Sequence, residues 1–476
     1  MKYTTERERI PELLVALYGL LEAHRPAFRQ EGPYWRAISL VMAELFAFAR
    51  HTVTQLLMTM GLVDADWSAW YRLFSRERYD EEALAGCLLK ETLAHAPEGD
   101  PYVIGVDATQ VPRSSQKMPG TSWLKAPRTA PFKAGIHRAQ RFVNGSWLTS
   151  IQEGFSRAIP LRFVTAFPEK AVPAREAPSK EWEAGLQIVR WVRQKLDENG
   201  REAQQILCLG DGSYESVSFW KGLPEGVFAI LRTARNRRLR ELPPKYVGRG
   251  RKRLYGERAP APQDWLKVRK GWSKAQIVVR GREQRLWHRV EGPYLREKAS
   301  DIPLFLIVVR GQEWIAGKQK RRRKRRQPAF YLISAIKEDN TWRLPIPIEE
   351  ALAWSWQRWE LEVAHREMKS GLGLGEKQCW SKRAAVTTVQ WSAWLYAVLL
   401  LAGYRTWGLC GGPAAPARWW TGARRWSLTT LWREYRAALW GTHEFRALYA
   451  GTASNWLKNE DCLIALWNSV AGAARI

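Results

Sequence analysis

The chain has 476 residues, of which 46% are hydrophobic, and its 75 Lys and Arg against 47 Asp and Glu give a formal net charge of +28. That length is too great for one compact core, and the apolar share excludes a largely disordered chain. The basic excess points to a polyanionic partner, because phosphate backbones attract cationic surfaces and release counterions on binding.

The five cysteines (Cys87, Cys208, Cys379, Cys410, Cys462) are scattered and odd in number, which argues against a disulfide framework and against a zinc site and favours a reducing compartment. Met1 to Arg9 is charged and carries no apolar run, so a secretory leader is not expected. The longest apolar stretch, Trp391 to Tyr404, falls short of the roughly 20 residues of a membrane span and reads as a buried helix.

Residues 1–97 read as a helical domain, with apolar positions at helical spacing in Ile10 to Leu21 and Ile38 to Phe48. His51 to Met58 and Ala65 to Phe74, separated by a break at Gly61, fit either a helix-turn-helix or an ordinary helical hairpin. Ala96-Pro97-Glu98-Gly99-Asp100-Pro101 marks a boundary. Tyr102 to Asp107 then reads as a buried strand ending in an acid. Two strands follow, Ala134 to Val143 and Ser146 to Glu153, about a turn at Asn144-Gly145. A charged helix covers Ser179 to Asn199, and Gln205 to Asp211 is a second buried strand ending in an acid. After a short helix, Val227 to Leu231 forms a fifth strand. This order predicts an α/β fold with an RNase H-like mixed sheet and flanking helices over 98–231.

Residues 232–345 read as a basic, β-rich insertion, with strands at Gln276 to Arg280, Arg285 to Val290, Pro303 to Val309 and Phe330 to Ile333. Within it, Lys318 to Arg326 is almost wholly cationic and reads as a solvated, disordered loop, in which Lys320, Arg321, Arg322 and Arg323 are candidates to grip a phosphate backbone. Residues 346–380 return to a helix, and 381–476 form a Trp-rich helical region. Eleven of the 27 tryptophans lie between Trp380 and Trp467, and most read as core.

The run Trp356 to Lys369 holds Arg-x3-Glu-x6-Lys. On a helix, Arg358, Glu362 and Lys369 point the same way within about 20–40°, whereas Glu360 and Glu367 lie on other faces. Its Trp and Leu neighbours argue against a fully solvated ion-pair ladder. Asp107, Asp211 and Glu362 together could hold two Mg²⁺ ions about 4 Å apart, with Mn²⁺ as a substitute, which is the requirement for phosphodiester hydrolysis and transfer.

With these residues the chain resembles bacterial insertion-sequence transposases of the DDE type, in the group with a Tyr-x2-Arg-x3-Glu-x6-Lys signature. Arg358, Glu362 and Lys369 match that signature, and Ser355 stands at its Tyr position. The resemblance implies that Asp107, Asp211 and Glu362 are the catalytic metal ligands and that Arg358 and Lys369 contact DNA phosphates. It implies a cut-and-paste enzyme that binds terminal inverted repeats in double-stranded DNA, cleaves them and joins 3′-OH ends to target DNA. It further implies a homodimer in the synaptic complex and a cytoplasmic, nucleoid-associated place. Family members flip a base onto an insertion-domain Trp, for which Trp272, Trp287 and Trp314 are candidates. His137 reads as a structural histidine. The alternatives are a domesticated or inactive DNA-binding relative, or a stand-alone RNase H-like nuclease.

Overall fold

The structure is a computed structural model that describes residues 10–47, 49–115, 117–126, 135–171, 178–245, 248, 251–316, 322–377, 379, 381–413 and 425–440. Five helices come first: α1 (Glu12–Ala23), α2 (Glu31–Phe46), α3 (Val53–Thr59), α4 (Ser68–Ser75) and α5 (Glu81–Leu93). In α1, Leu13, Leu14, Leu17, Leu20 and Leu21 recur every three to four residues and are all buried, so the helix follows from its apolar stripe. The Thr52 hydroxyl accepts from the Gln55 N–H at the start of α3, and the Asp80 carboxylate caps α5 in the same way. Eight residues separate α3 from α4, more than the usual helix-turn-helix connection.

The first part of a mixed sheet follows: β1 (Tyr102–Pro112), β2 (Thr121–Lys125), β3 (Ile136–Leu148), β4 (Ala158–Thr165), helix α6 (Glu181–Glu198), β5 (Ile206–Gly210), helix α7 (Val217–Gly222) and β6 (Val227–Arg232). Its spatial order is β4-β3-β1-β5-β6, with β3 antiparallel to β1 and with β5 and β6 parallel to it. This is the expected RNase H-like mixed sheet. β5 (Ile-Leu-Cys-Leu-Gly) is buried at every position, as a central strand covered on both faces must be.

Two strand expectations need correction. β1 does not end at Asp107 but runs on to Pro112, because β3 keeps pairing with it after β5 has stopped. Asn144-Gly145 is not a turn either, since β3 passes straight through both residues. A side chain at 145 would place its Cβ 2.2 Å from an Ile188 methyl of α6, so the glycine serves close helix packing.

The following strands are β7 (Arg240–Glu241), β8 (Ser273–Val279), β9 (Arg282–Arg296), β10 (Ala299–Val309), β11 (Gln312–Ala316), β12 (Arg322–Arg326), β13 (Ala329–Ser334), β14 (Ile336–Glu338) and β15 (Thr341–Arg343). β13 pairs with β6 and with β10, so β7, β8, β9, β10 and β13 extend the same sheet to eleven strands, while β11–β12 and β14–β15 form two separate two-stranded sheets. Arg322 to Arg326 is strand rather than disordered loop, because β11 supplies its backbone partners. Composition alone cannot show such pairing.

The chain closes with α8 (Ile348–Gln357), α9 (Trp359–Gly371), α10 (Ala384–Trp407) and α11 (Leu428–Trp440). Among the described residues α10 is the one helix long and apolar enough to cross a membrane, yet 89% of its most apolar window is buried against the rest of the chain. It packs on β4, α1 and α5. Its Trp391 and Trp394 are core residues, 4.8 Å apart between ring centroids.

Candidate active site

Residue placement on β1 and β5 follows from register. Tyr102 pairs with Ile206 and Gly105 with Leu209, so the same offset sets Asp107 beside Asp211 just past the end of β5. Alternation along β1 puts Gly105 and Asp107 on one face of the sheet. α9 packs on that face: a Cβ at Gly105 would lie 2.7 Å from a Leu361 methyl. The glycine thus lets the helix approach the sheet, and Glu362 follows Leu361 directly. α6 covers the opposite face, where Ile188 fills the space over Gly145.

The electrostatics agree with this convergence. Burial pushes the Asp107 carboxyl up to about 7, against the pull of Arg358 and with added repulsion from Asp211 and Glu362. Arg358 sits at the junction of α8 and α9, its side chain 17% exposed, and donates to Glu362 Oε1 at 2.7 Å. Burial, aided by Lys369 further along the same helix, holds His365 down at about 3. His365 is therefore neutral, so its 3.7 Å approach to Asp107 is not an ion pair.

Three neighbours of the acids were not singled out in the sequence. His365 lies one turn after Glu362, a spacing that could have revealed it. Asn144 is the cross-strand partner of Asp107; its amide nitrogen lies 2.9 Å from Ser146 Oγ and 3.3 Å from His365 Nε2. Its Oδ1 is buried with no hydrogen-bond partner among the described residues. Glu181, in the first turn of α6, is pushed up by burial and by Asp211 and pairs with Arg141 at 3.4 Å. No local sequence pattern joins these residues.

A cleft of about 810 Å³ opens beside Arg358. It is lined by Arg232, Arg280, Arg282 and Arg326, with Trp356 and Trp359 among its walls. Arg326 stacks over Trp356 at 5.3 Å, and Trp359 is 47% exposed. Ser355, at the signature's Tyr position, also lines the cleft, and its hydroxyl donates to Ala351 O.

The other candidates are dispersed. Trp272 donates to Val268 O and lies under Arg310, while Trp287 is partly exposed beneath Lys274. Trp314 falls on β11, and Arg322 and Arg323 on β12, but their side chains lie outside the described residues, as do Lys320 and Arg321 entirely. His137 lies 2.6 Å from Gln110 Oε1, a structural contact between β3 and β1.

An all-oxygen donor set with excess negative charge and an orphaned amide oxygen suits a hard divalent cation by its chemistry. Among the described residues, however, no three of His, Cys, Asp and Glu stand close enough to share one ion in this arrangement. The cost of the cluster is measurable. Because the folded value of Asp107 lies above its ordinary 3.8, the folded state disfavours the charged form. The penalty is absent below about pH 4, grows toward pH 7 and then levels at no more than about 4 kcal/mol. Asp107→Asn should therefore raise the metal-free melting temperature at pH 8 and leave it unchanged at pH 4. Equal melting at pH 8 contradicts a buried charge at this position.

No curated protein matches the chain. Residues 25–291, more than half of it, match the family described as DDE superfamily endonuclease. The matched span holds Asp107 and Asp211 and stops short of Glu362. The mixed sheet, with Asp107 on β1 and Asp211 directly after its parallel neighbour β5, and this match across most of the sheet, place the chain in the DDE superfamily endonuclease family.

Proposed function

We propose that this endonuclease is a cut-and-paste DNA transposase in which Asp107, Asp211 and Glu362 hold two Mg²⁺ ions, replaceable by Mn²⁺. The observation that carries the reading is that Asp107 lies in β1, Asp211 directly follows the parallel β5, and the helix bearing Glu362 packs on the Gly105 face of β1, with Asp107 feeling both other acids. Residues 98–231 and 346–380 would form the catalytic unit, 1–97 the DNA-end reader, 232–345 the basic insertion and 381–476 a supporting region. Divalent cations in such a site lower the pKa of bound water and neutralise charge on the leaving oxygen.

The chain's own part is placement. Asp107 is held in β1 by its pairing with Asn144 of β3 and Asp211 follows directly on β5, whereas the Glu362 oxygen now held by Arg358 must turn away from it to complete the set. Arg358 is then free to face a DNA phosphate, with Lys369 further along the helix. In the first step a water oxygen bonds to phosphorus, the 3′-oxygen leaves and takes a proton. In the second, that 3′-hydroxyl gives up its proton and bonds to a phosphorus of the opposite strand or of target DNA, while the bond from that phosphorus to the attacked strand's own 3′-oxygen breaks and the leaving oxygen takes a proton. Two protomers would pair two inverted repeats, since cutting one end cannot excise an element.

The arginine cleft supports a path for DNA leading away from the acids. Arg280→Gln with Arg282→Gln should weaken DNA binding and lower the salt slope by about 2. A slope equal to the parent's would remove both residues from the interface. The reading as a whole is tested by incubating supercoiled DNA bearing the flanking repeats with the protein and Mg²⁺ or Mn²⁺. Nicking at the repeat ends and strand-transfer products are expected. Inactivity with both metals points instead to a DNA-binding relative, and nicking without joining to a stand-alone nuclease.

A further inference from the structure

α9 carries two more carboxylates off the line of Glu362: Glu360, which also borders the arginine cleft, and Glu367, which does not. Glu367 Oε2 accepts from Arg157 Nη1 at 3.0 Å and from the Tyr396 hydroxyl at 2.7 Å. Arg157 is 1% exposed, donates its other terminal nitrogen to Trp426 O at 2.7 Å and lies 4.2 Å from the Trp426 ring centroid. Glu360, 5% exposed, pairs with Arg425, which also donates to Ser156 O at 2.6 Å. Glu360 and Glu367 are seven residues apart, so they form one line along the helix, with about 10 Å between the two pins. That line lies some 140–200° round from Glu362.

We propose that Glu360 and Glu367 are positioning residues: through Arg425 and Arg157 they fix the rotation and tilt of α9, and thereby the place of Glu362 beside Asp107 and Asp211. This rests on the reading of Glu362 as the third metal-holding acid. One pin would let the helix pivot; two, set apart along the axis, hold it. Buried ion pairs contribute little net stability compared with apolar packing, and their best-attested use is to specify one arrangement. Arg157 and Arg425 act through planar forks that a lysine cannot reproduce. Both pins are seated by the β3–β4 connection (Ser156, Arg157) and by the segment leading into α11 (Arg425, Trp426). The Trp-rich C-terminal region thereby gains a part in the chemistry at the other side of the helix.

The test uses the full chain and Mn²⁺ alone, titrated calorimetrically at a temperature where every variant is folded. Tyr396→Phe removes one hydrogen bond to Glu367 and keeps the ring, so it decides the matter even if Arg157→Lys or Arg425→Lys fails to fold. A rise of about three- to tenfold in the Mn²⁺ dissociation constant is expected, with DNA binding unchanged. Loss of a support that matters only for stability lowers the melting temperature but leaves Mn²⁺ affinity at the parent value; that result overturns the proposal. Glu362→Gln is titrated in parallel. If it binds Mn²⁺ as the parent does, the reading of Glu362 fails, whereas a loss in Glu362→Gln beside unchanged Tyr396→Phe defeats the positioning role alone.

Discussion

Asp107→Asn, Asp211→Asn and Glu362→Gln should each reduce DNA nicking by at least about 10³-fold while changing DNA-end binding little. The asymmetry follows from charge. Each substitution keeps the side chain's shape but removes an anionic donor, and losing a two-ion site forfeits several kcal/mol of transition-state stabilisation. The phosphate backbone, by contrast, gains nothing from a buried carboxylate, so binding should hold or strengthen slightly. The three groups act as one unit, so pairwise combinations should be no worse than the single changes. Asp107 is the most informative of the three, since burial raises its carboxyl and it feels both other acids. A variant that keeps more than about a tenth of the parent's nicking removes its residue from the site.

The second large effect concerns stability. Glu44 of α2 is fully buried, bonded to Lys377 Nζ at 2.7 Å and paired with His51. Lys377 comes from the segment after α9, so this pair ties the N-terminal helices to the end of the helix that carries Glu362. Burial works to raise the Glu44 carboxyl, but Lys377 and His51 outweigh it and hold it below its ordinary 4.5. Lys377→Met leaves a carboxylate without its main cation and should cost about 3–5 kcal/mol. Because the folded value is depressed, the pair's contribution is present above about pH 4.5 and is lost as pH falls further. The deficit of Lys377→Met in denaturant unfolding should therefore be large at pH 7 and shrink below pH 4. Glu44→Gln added to Lys377→Met should recover part of it. A Lys377→Met protein as stable as its parent at pH 7 contradicts the account of this pair.

Much of the site could be read from the residues because its signals are local. Val-Ile-Gly-Val before Asp107 and Ile-Leu-Cys-Leu-Gly before Asp211 are runs that only a central strand accepts, and the sheet places them side by side. The spacing of Arg358 and Glu362 likewise became a real contact, although Arg358 stands at the junction of α8 and α9 and the one helix expected here is two. What sequence could not give depends on distant partners. Asn144-Gly145 carries the residues of a hairpin turn, yet the long pairing of β3 with β1 and β4 and the pressure of Ile188 decide otherwise. Arg322 to Arg326 looks like a solvated tract until β11 is set beside it. Glu360 and Glu367 were visible as off-face residues, but their arginines lie 65 and 210 positions away in the chain. Asn144, Glu181 and His365 reach the acids from three separate elements, and only His365 shares a helix with one of them.

Anomalous diffraction from crystals of the full chain soaked in Mn²⁺ tests the central claim most directly. Peaks should lie between Asp107 and Asp211, with carboxylate oxygens at roughly 2.0–2.4 Å, and Glu362 should have left Arg358 to join them. Mn²⁺ bound only elsewhere, with Glu362 still on Arg358 and Asp107 without an ion, would contradict it.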